Sequence, residues 1–162
     1  MPTKPTKKPA ALPTGSPVAK ELQNVLKDTY ALYLATHNYH WNVEGVNFVS
    51  LHTLFEQQYT ELFAAIDEIA ERIRALDVYA LPNHYEDVLE ALQALPNPLT
   101  KSGDRATAMI HNLISLNASV TEAAQAAKRA AEKAGDDESV DLCVERITTH
   151  QKAMWMLRSI VK

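Results

Sequence analysis

Four side chains in the helix-forming segment 48–76 are of the types that bind transition metals, and their spacing is symmetric. They are His52, Glu56, Asp67 and Glu71. The midpoint between His52 and Glu71 is also the midpoint between Glu56 and Asp67. At 100° per residue, all four fall within a sector of roughly 100° on one helix face. Imidazole and carboxylate groups grouped in this way indicate a site for a divalent transition metal.

One helix cannot bring both ends of this pattern to a single ion. His52 and Glu71 are roughly 28 Å apart along a helix axis, at 1.5 Å per residue. A second copy that runs antiparallel, about a two-fold axis near residues 61–62, places His52 and Glu56 of one chain opposite Asp67 and Glu71 of the other. The spacing therefore predicts two identical metal sites shared between two chains.

The apolar side chains of the same segment point about 140° away from the metal-binding face. They are Leu51, Phe55, Leu62, Ile66, Ile69, Ile73 and Leu76. Near the predicted axis the outer face carries Phe63 beside Ala64, and contact with a partner explains an outward Phe better than solvent does. The alternative is the solvated charged face of an ordinary amphipathic helix, with no metal.

Composition indicates one all-α domain. The chain has 162 residues, 46% of them hydrophobic and only four of them glycine, which is enough for one substantial core. Cys143 is the sole cysteine, so an internal disulfide is excluded, and we interpret it as a packing residue. No apolar run reaches about 18 residues and no signal sequence is recognisable. We therefore expect a soluble, cytoplasmic protein without a membrane partner.

The order of the segments predicts a bundle. Residues 1–15, rich in Pro and Lys, form a flexible arm, and residues 16–162 form the domain. Ser16 and Pro17 are typical of a helix start, and that helix is expected to run to about Val43. Further helices are predicted over 48–76, 84–94, 103–134 and 137–161. The long connection carrying the short helix 84–94 is a crossover, which is typical of a ferritin-like four-helix bundle.

The usual di-iron site inside such bundles requires Glu-x-x-His on two helices, and this sequence contains none. With its ligands on an outer helix face, the chain instead closely resembles the Dps family, the DNA-binding proteins from starved cells. The resemblance covers nearly the whole chain after residue 16. It is carried by His40-Trp41-Asn42-Val43-x-Gly45-x-Asn47-Phe48, then His52, then Asp67-x-x-x-Glu71-Arg72.

The resemblance implies a hollow shell of twelve subunits that oxidises Fe²⁺, typically with hydrogen peroxide, and stores ferric mineral inside. The implied ligands are His40 and His52 of one subunit with Asp67 and Glu71 of its two-fold mate. Glu56 stands where the family usually has Asp, and we retain it as a ligand. The same types of ligand would also suit Zn²⁺, Co²⁺ or Mn²⁺, so the choice of iron comes from the resemblance.

Several aromatic residues and histidines have less defined roles. The resemblance suggests that Trp41 passes electrons or intercepts radicals, and the alternative is a buried packing aromatic. Tyr39 is similarly open. The remaining histidines match no ligand spacing, and we interpret them as hydrogen-bonding or surface residues: His37, His84, His111 and His150.

A second group of acids lies at the start of the last predicted helix. The resemblance implies that Asp136, Asp141 and Glu145 line three-fold pores through which Fe²⁺ enters, because rings of negative charge concentrate cations. For Asp136, a favourable interaction with the helix N-terminus is the alternative explanation.

The N-terminal arm gives the chain a second possible function. Lys4, Lys7, Lys8 and Lys20 are the only charged residues before residue 21, which leaves 12 basic and 20 acidic residues in the body. Twelve basic arms could contact DNA without sequence preference, and the alternative is a solubilising tail. Three functions therefore stand: a ferroxidase and iron store that protects DNA, a DNA-compacting nucleoid protein, and a metal-binding shell without redox activity. The helix ligands favour the first.

Overall fold

The computed structural model describes residues 16–81, 85–100 and 104–162, and these ranges contain helices and no β-strand. The helices are α1 (Pro17–Asn42), α2 (Phe48–Ala75), α3 (Tyr85–Gln93), α4 (Arg105–Ala134) and α5 (Asp137–Ile160). A short 3-10 turn at Pro98–Thr100 was not predicted. The predicted all-α bundle is confirmed, and its helix boundaries agree to within about two residues, the usual uncertainty of such assignments. The predicted arm, residues 1–15, and His84 lie outside the described residues.

Local hydrogen bonds explain where the helices begin and end. The Ser16 hydroxyl accepts a bond from the Ala19 amide at 3.2 Å, and Pro17 opens α1 as predicted. Gly135 ends α4 in the left-handed conformation, with φ of 70°. The next residue, Asp136, begins α5 by accepting a bond from the Ser139 amide. The two capping residues, Gly135 and Asp136, are therefore the whole connection between α4 and α5.

The helices pack as two hairpins. α1 packs along α2, α4 packs along α5, and α1 also packs along α4, whereas α2 and α5 barely touch. All but one of the predicted core residues of α2 are buried, and Leu76 is half-buried. Cys143 is buried in the core, and burial raises the pKa of its thiol to about 11. Its predicted role as a packing residue is thus confirmed.

His150 is a hydrogen-bonding histidine in the core, only 1% exposed. The amide nitrogen of Asn117 donates to the Leu113 carbonyl, so the amide oxygen of Asn117 is free to accept a bond from His150 Nδ1 at 2.9 Å. The Nε2 atom of His150 therefore keeps its lone pair, and it has no hydrogen-bond partner in the part of the chain that the structure describes. Burial, together with the nearby charge of Arg146, lowers the pKa of His150 to about 3.

This buried histidine predicts a specific loss of stability in mild acid. Below a pH of about 6.5 the unfolded chain binds a proton at this position, whereas the folded chain resists protonation down to a pH of about 3. The free energy of unfolding should therefore fall with decreasing pH by up to about 1.4 kcal/mol per pH unit across that window. Between pH 6.5 and 5, we expect urea unfolding to show that the wild type loses about 1.5 kcal/mol more than His150→Gln.

The matched control is His111→Gln, because His111 is exposed on α4. That variant should keep the slope of the wild type at the same protein concentration. Equal slopes for wild type and His150→Gln would contradict a neutral, buried imidazole.

Candidate metal centre

Two of the predicted ligands, His40 and His52, lie in contact where α1 and α2 meet. The short connection between Asn42 and Phe48 turns the chain back, so that the last turn of α1 faces the first turns of α2. The two imidazole rings stack with their centroids 3.8 Å apart and their planes inclined by 21°. His40 is buried and His52 is half-buried. The pair therefore borders the surface of the chain.

Reciprocal hydrogen bonds orient the two rings. The Nδ1 atom of His40 donates to the His52 carbonyl at 2.9 Å, and the Nδ1 atom of His52 donates to the His40 carbonyl at 2.8 Å. A carbonyl oxygen can only accept, so Nδ1 must carry the proton in both rings. In the neutral rings both Nε2 lone pairs are then available to a metal ion. The hydrogen bond at Nδ1 holds each ring in place.

The carboxylates do not join the histidines within one chain. Glu56, Asp67 and Glu71 are exposed on α2, which runs without interruption from Phe48 to Ala75. Asp67 is therefore roughly 22 Å from His52 along the helix axis. In the part of the chain that the structure describes, no three His, Cys, Asp or Glu side chains converge as a metal site. Only the histidine pair is preassembled.

The surface between these residues is suited to a partner. Phe63 lies on α2 between His52 and the distal carboxylates and is 66% exposed. Phe63 thus adds exposed apolar surface to the helix that carries the candidate ligands. The donor set fits a divalent transition metal, because it combines imidazole nitrogens that have free lone pairs with carboxylates.

A cluster of aromatic rings adjoins the histidine pair, and sequence reasoning missed most of it. The Tyr59 ring lies 5.2 Å from that of His40, and His37 stacks on Tyr59 at 4.3 Å. The ring of His37 is in turn 4.2 Å from that of Trp41. The spacing of Tyr33, His37 and Trp41, four residues apart on α1, could have revealed this shared face. The rings form a continuous path from Trp41 to His40.

Trp41 itself is 62% exposed, so it is not a packing aromatic of this chain's own core. Tyr39, which the sequence left open, is buried and accepts a hydrogen bond from the Asn112 amide at 2.8 Å. Burial raises the pKa of the Tyr39 hydroxyl. Tyr39 is thus a structural residue, whereas Trp41 is exposed beside the candidate histidine ligands.

The three acids predicted at the pore differ in their surroundings. Arg72 donates to Asp136 at 2.5 Å and to Ser139 at 2.9 Å, which ties the end of α2 to the start of α5. Partial burial disfavours the charge of Asp136, but hydrogen bonds from Ser139 and Arg72 outweigh it and hold its pKa below the usual value. The helix-capping alternative thus accounts for Asp136. Asp141 and Glu145 are exposed one turn apart on α5.

The sequence also led to expectations about DNA contact and about membranes. Lys4, Lys7 and Lys8 lie outside the described residues. Among the helices that the structure describes, none combines the length and apolarity that a membrane span requires.

The family model, relatives and solved structures that match this chain all point to one family. The family model described as a ferritin-like domain matches residues 19–162. A DNA protection during starvation protein 2 of Bacillus anthracis is 30% identical over 89% of this chain and 96% of its own. The crystal structure of Dps from Staphylococcus aureus has a TM-score of 0.77, with 32% identity over 90% of this chain and 95% of that chain.

A third similar structure adds a chemical description. The Dps protein from Vibrio cholerae O1 has a TM-score of 0.77, with 30% identity over 90% of this chain and 89% of that one. It is described as a member of a broad superfamily of ferritin-like diiron-carboxylate proteins.

Proposed function

Since this chain belongs to the ferritin-like family and, within it, to the Dps proteins, we propose that it oxidises Fe²⁺ and stores the ferric product. The observation that carries the proposal is the reciprocal pair of hydrogen bonds between His40 and His52, which leaves both Nε2 lone pairs free for iron. The names of the similar proteins support a role in protecting DNA.

In the proposed mechanism, His40 and His52 bind Fe²⁺ through Nε2, and Asp67 and Glu71 of the two-fold mate complete the site. Carboxylates favour oxidation because their negative charge stabilises Fe³⁺ more than Fe²⁺. Hydrogen peroxide is the proposed oxidant: it takes one electron from each of two Fe²⁺ ions and two protons, and it leaves as two waters. The reaction removes both reagents that generate hydroxyl radical, which is how it would protect DNA.

Two further residues have proposed roles beside the histidines. Glu56 is exposed one turn after His52, so it can bind a second Fe²⁺, reaching further than the Asp usual in the family. Trp41 is connected to His40 through the stacked rings of His37 and Tyr59. We propose that Trp41 supplies a single electron to the peroxide when only one Fe²⁺ ion is bound.

The proposed assembly is a dodecamer built from two-fold dimers. Its dimer places the exposed Phe63 at the axis and brings the carboxylates of each chain to the histidines of the other. This arrangement accounts for a chain that preassembles two nitrogen ligands and leaves its carboxylates exposed.

Sharing of the site between chains predicts complementation between two inactive variants. His52→Ala and Asp67→Ala should each abolish rapid Fe²⁺ oxidation by peroxide, because each removes one ligand from every site. When the two variants are assembled together at random, a mixed dimer contains one doubly defective site and one intact site. We therefore expect recovery of roughly a quarter of the wild-type rate, measured by ferric absorbance after anaerobic Fe²⁺ loading.

The control is joint assembly of two variants that lack the same ligand, His52→Ala with His52→Gln, which should stay inactive. Absence of recovery in the mixed shells would contradict a shared site. Metal binding without oxidation in the wild type would instead favour a metal-binding shell that lacks redox activity.

Fe²⁺ entry is proposed to depend on Asp141 and Glu145. Both are exposed on one face of α5, and Glu145 also contacts Arg146 at 3.4 Å, whereas the partly buried carboxylate of Asp136 is bonded to both Arg72 and Ser139. In the proposed shell, Asp136 therefore positions the start of α5, and the two exposed acids attract cations at the pore.

Neutralising the two exposed acids should slow iron uptake without damaging the oxidation site. We expect Asp141→Asn with Glu145→Gln to reduce the initial uptake rate of intact shells about tenfold at low ionic strength, and less at high salt. Oxidation by dismantled dimers should be unchanged. The matched control, Glu86→Gln with Glu90→Gln on α3, removes equal charge elsewhere. Equal uptake by the pore variant and the wild type would remove the pore assignment.

DNA binding through the arm is the second candidate function, and the cluster of lysines near the N-terminus favours it. Replacing Lys4, Lys7 and Lys8 with Ser should abolish a low-salt gel shift, because neutralisation of phosphates drives such binding. Replacing them with Arg retains the charge and should retain the shift. A gel shift that persists after the Ser substitutions would contradict DNA binding through the arm.

A further inference from the structure

A cavity of about 240 Å³ lies inside the bundle, on the side where α2 and α5 barely touch. All four long helices line it, with Leu32 and Thr36 from α1, Gln58 from α2, Asn117 from α4 and His150 from α5. Gln57 and Lys152 also line it and are exposed, so the mouth of the cavity opens between α2 and α5. None of the proposed iron ligands lines the cavity.

Two buried polar atoms of the lining residues have no hydrogen-bond partner within residues 16–81, 85–100 and 104–162. The Nε2 atom of His150 is an acceptor, because Nδ1 donates to Asn117. The side-chain nitrogen of Gln58 is a buried donor without a partner. Leaving buried groups of this kind unpaired costs free energy. A ligand that donates to one and accepts from the other would remove that cost.

The charges around the cavity favour a neutral ligand. Glu61, which lines the cavity, pairs with Arg146 at 2.5 Å, and Arg146 also contacts Glu145. The buried guanidinium is therefore balanced by carboxylates. Lys152 lies at the exposed mouth, so a free anion or cation would have to enter the low-dielectric interior beyond it without a counter-charge that is not already paired, which is unfavourable.

Size and wall chemistry favour an apolar body over a cluster of waters. Leucines and Met156 form much of the wall. Several waters would be needed to fill this volume, and each needs two to four polar partners. Cavities of roughly 150 Å³ already accept benzene. A ring-sized apolar group thus fits the walls better than water does.

We propose that this cavity binds a small neutral molecule that joins an apolar body to one hydroxyl group, such as a phenol. A hydroxyl is suited to the two unpaired atoms because the same oxygen donates to His150 Nε2 and accepts from Gln58. The apolar body then lies against Leu32, Leu62 and Met156.

Phenol and toluene test the proposal on the iron-free assembled protein, so the result does not depend on the ferroxidase function. Toluene has nearly the same shape as phenol but no hydroxyl. We expect ligand-observed NMR titration to show that phenol binds the wild type about tenfold more tightly than toluene. Gln58→Leu and His150→Leu should each remove that preference.

Two control variants separate the polar contacts from the cavity itself. Gln151→Leu makes the same change as Gln58→Leu at an exposed position on α5, and it should keep the wild-type preference. Ala153→Leu places a larger side chain in the cavity wall and should block both ligands. Equal binding of phenol and toluene by the wild type would overturn the assignment of the hydroxyl. Binding of neither would overturn the proposal that the cavity accepts a ring-sized apolar ligand.

Discussion

The length of α2 is the constraint on which the rest of the structure depends. Its 28 residues form one uninterrupted helix, so residues 15 positions apart stay roughly 22 Å apart. One face of this helix is buried in the core of its own chain. The opposite face leaves Asp67, Glu71 and Phe63 exposed. In the proposed site, a single chain then supplies only some of the ligands: His52 from α2, His40 from the neighbouring α1, and its distal carboxylates to a second chain.

Polar contacts hold the α2 side of the bundle to the α5 side, where apolar packing between the two helices is slight. Arg72 bonds Asp136 and Ser139 at one end, and Arg146 bonds Glu61 near the middle. These ion pairs are partly buried and cost desolvation energy, so they contribute less to stability than to a defined arrangement of the helices. The loose contact also leaves space for the cavity beside His150.

Periodicity and capping residues were enough to predict the helices, because both are local properties of the chain. Ser16 with Pro17, and Gly135, mark ends that the structure confirms. Contacts between distant residues were not predictable in the same way. His37 gave no ligand spacing, yet its ring stacks on Tyr59, since that contact depends on how α1 and α2 pack.

The sequence by itself determined the all-α fold and the face of α2 that carries the candidate ligands, and it predicted that a second chain completes the site. These follow from helix geometry, which depends only on residue spacing. Tertiary structure decided the tautomers of His40 and His52, the engagement of Asp136 with Arg72, and the unpaired Nε2 atom of His150. The reason is that hydrogen-bond partners distant in sequence meet only when the helices pack.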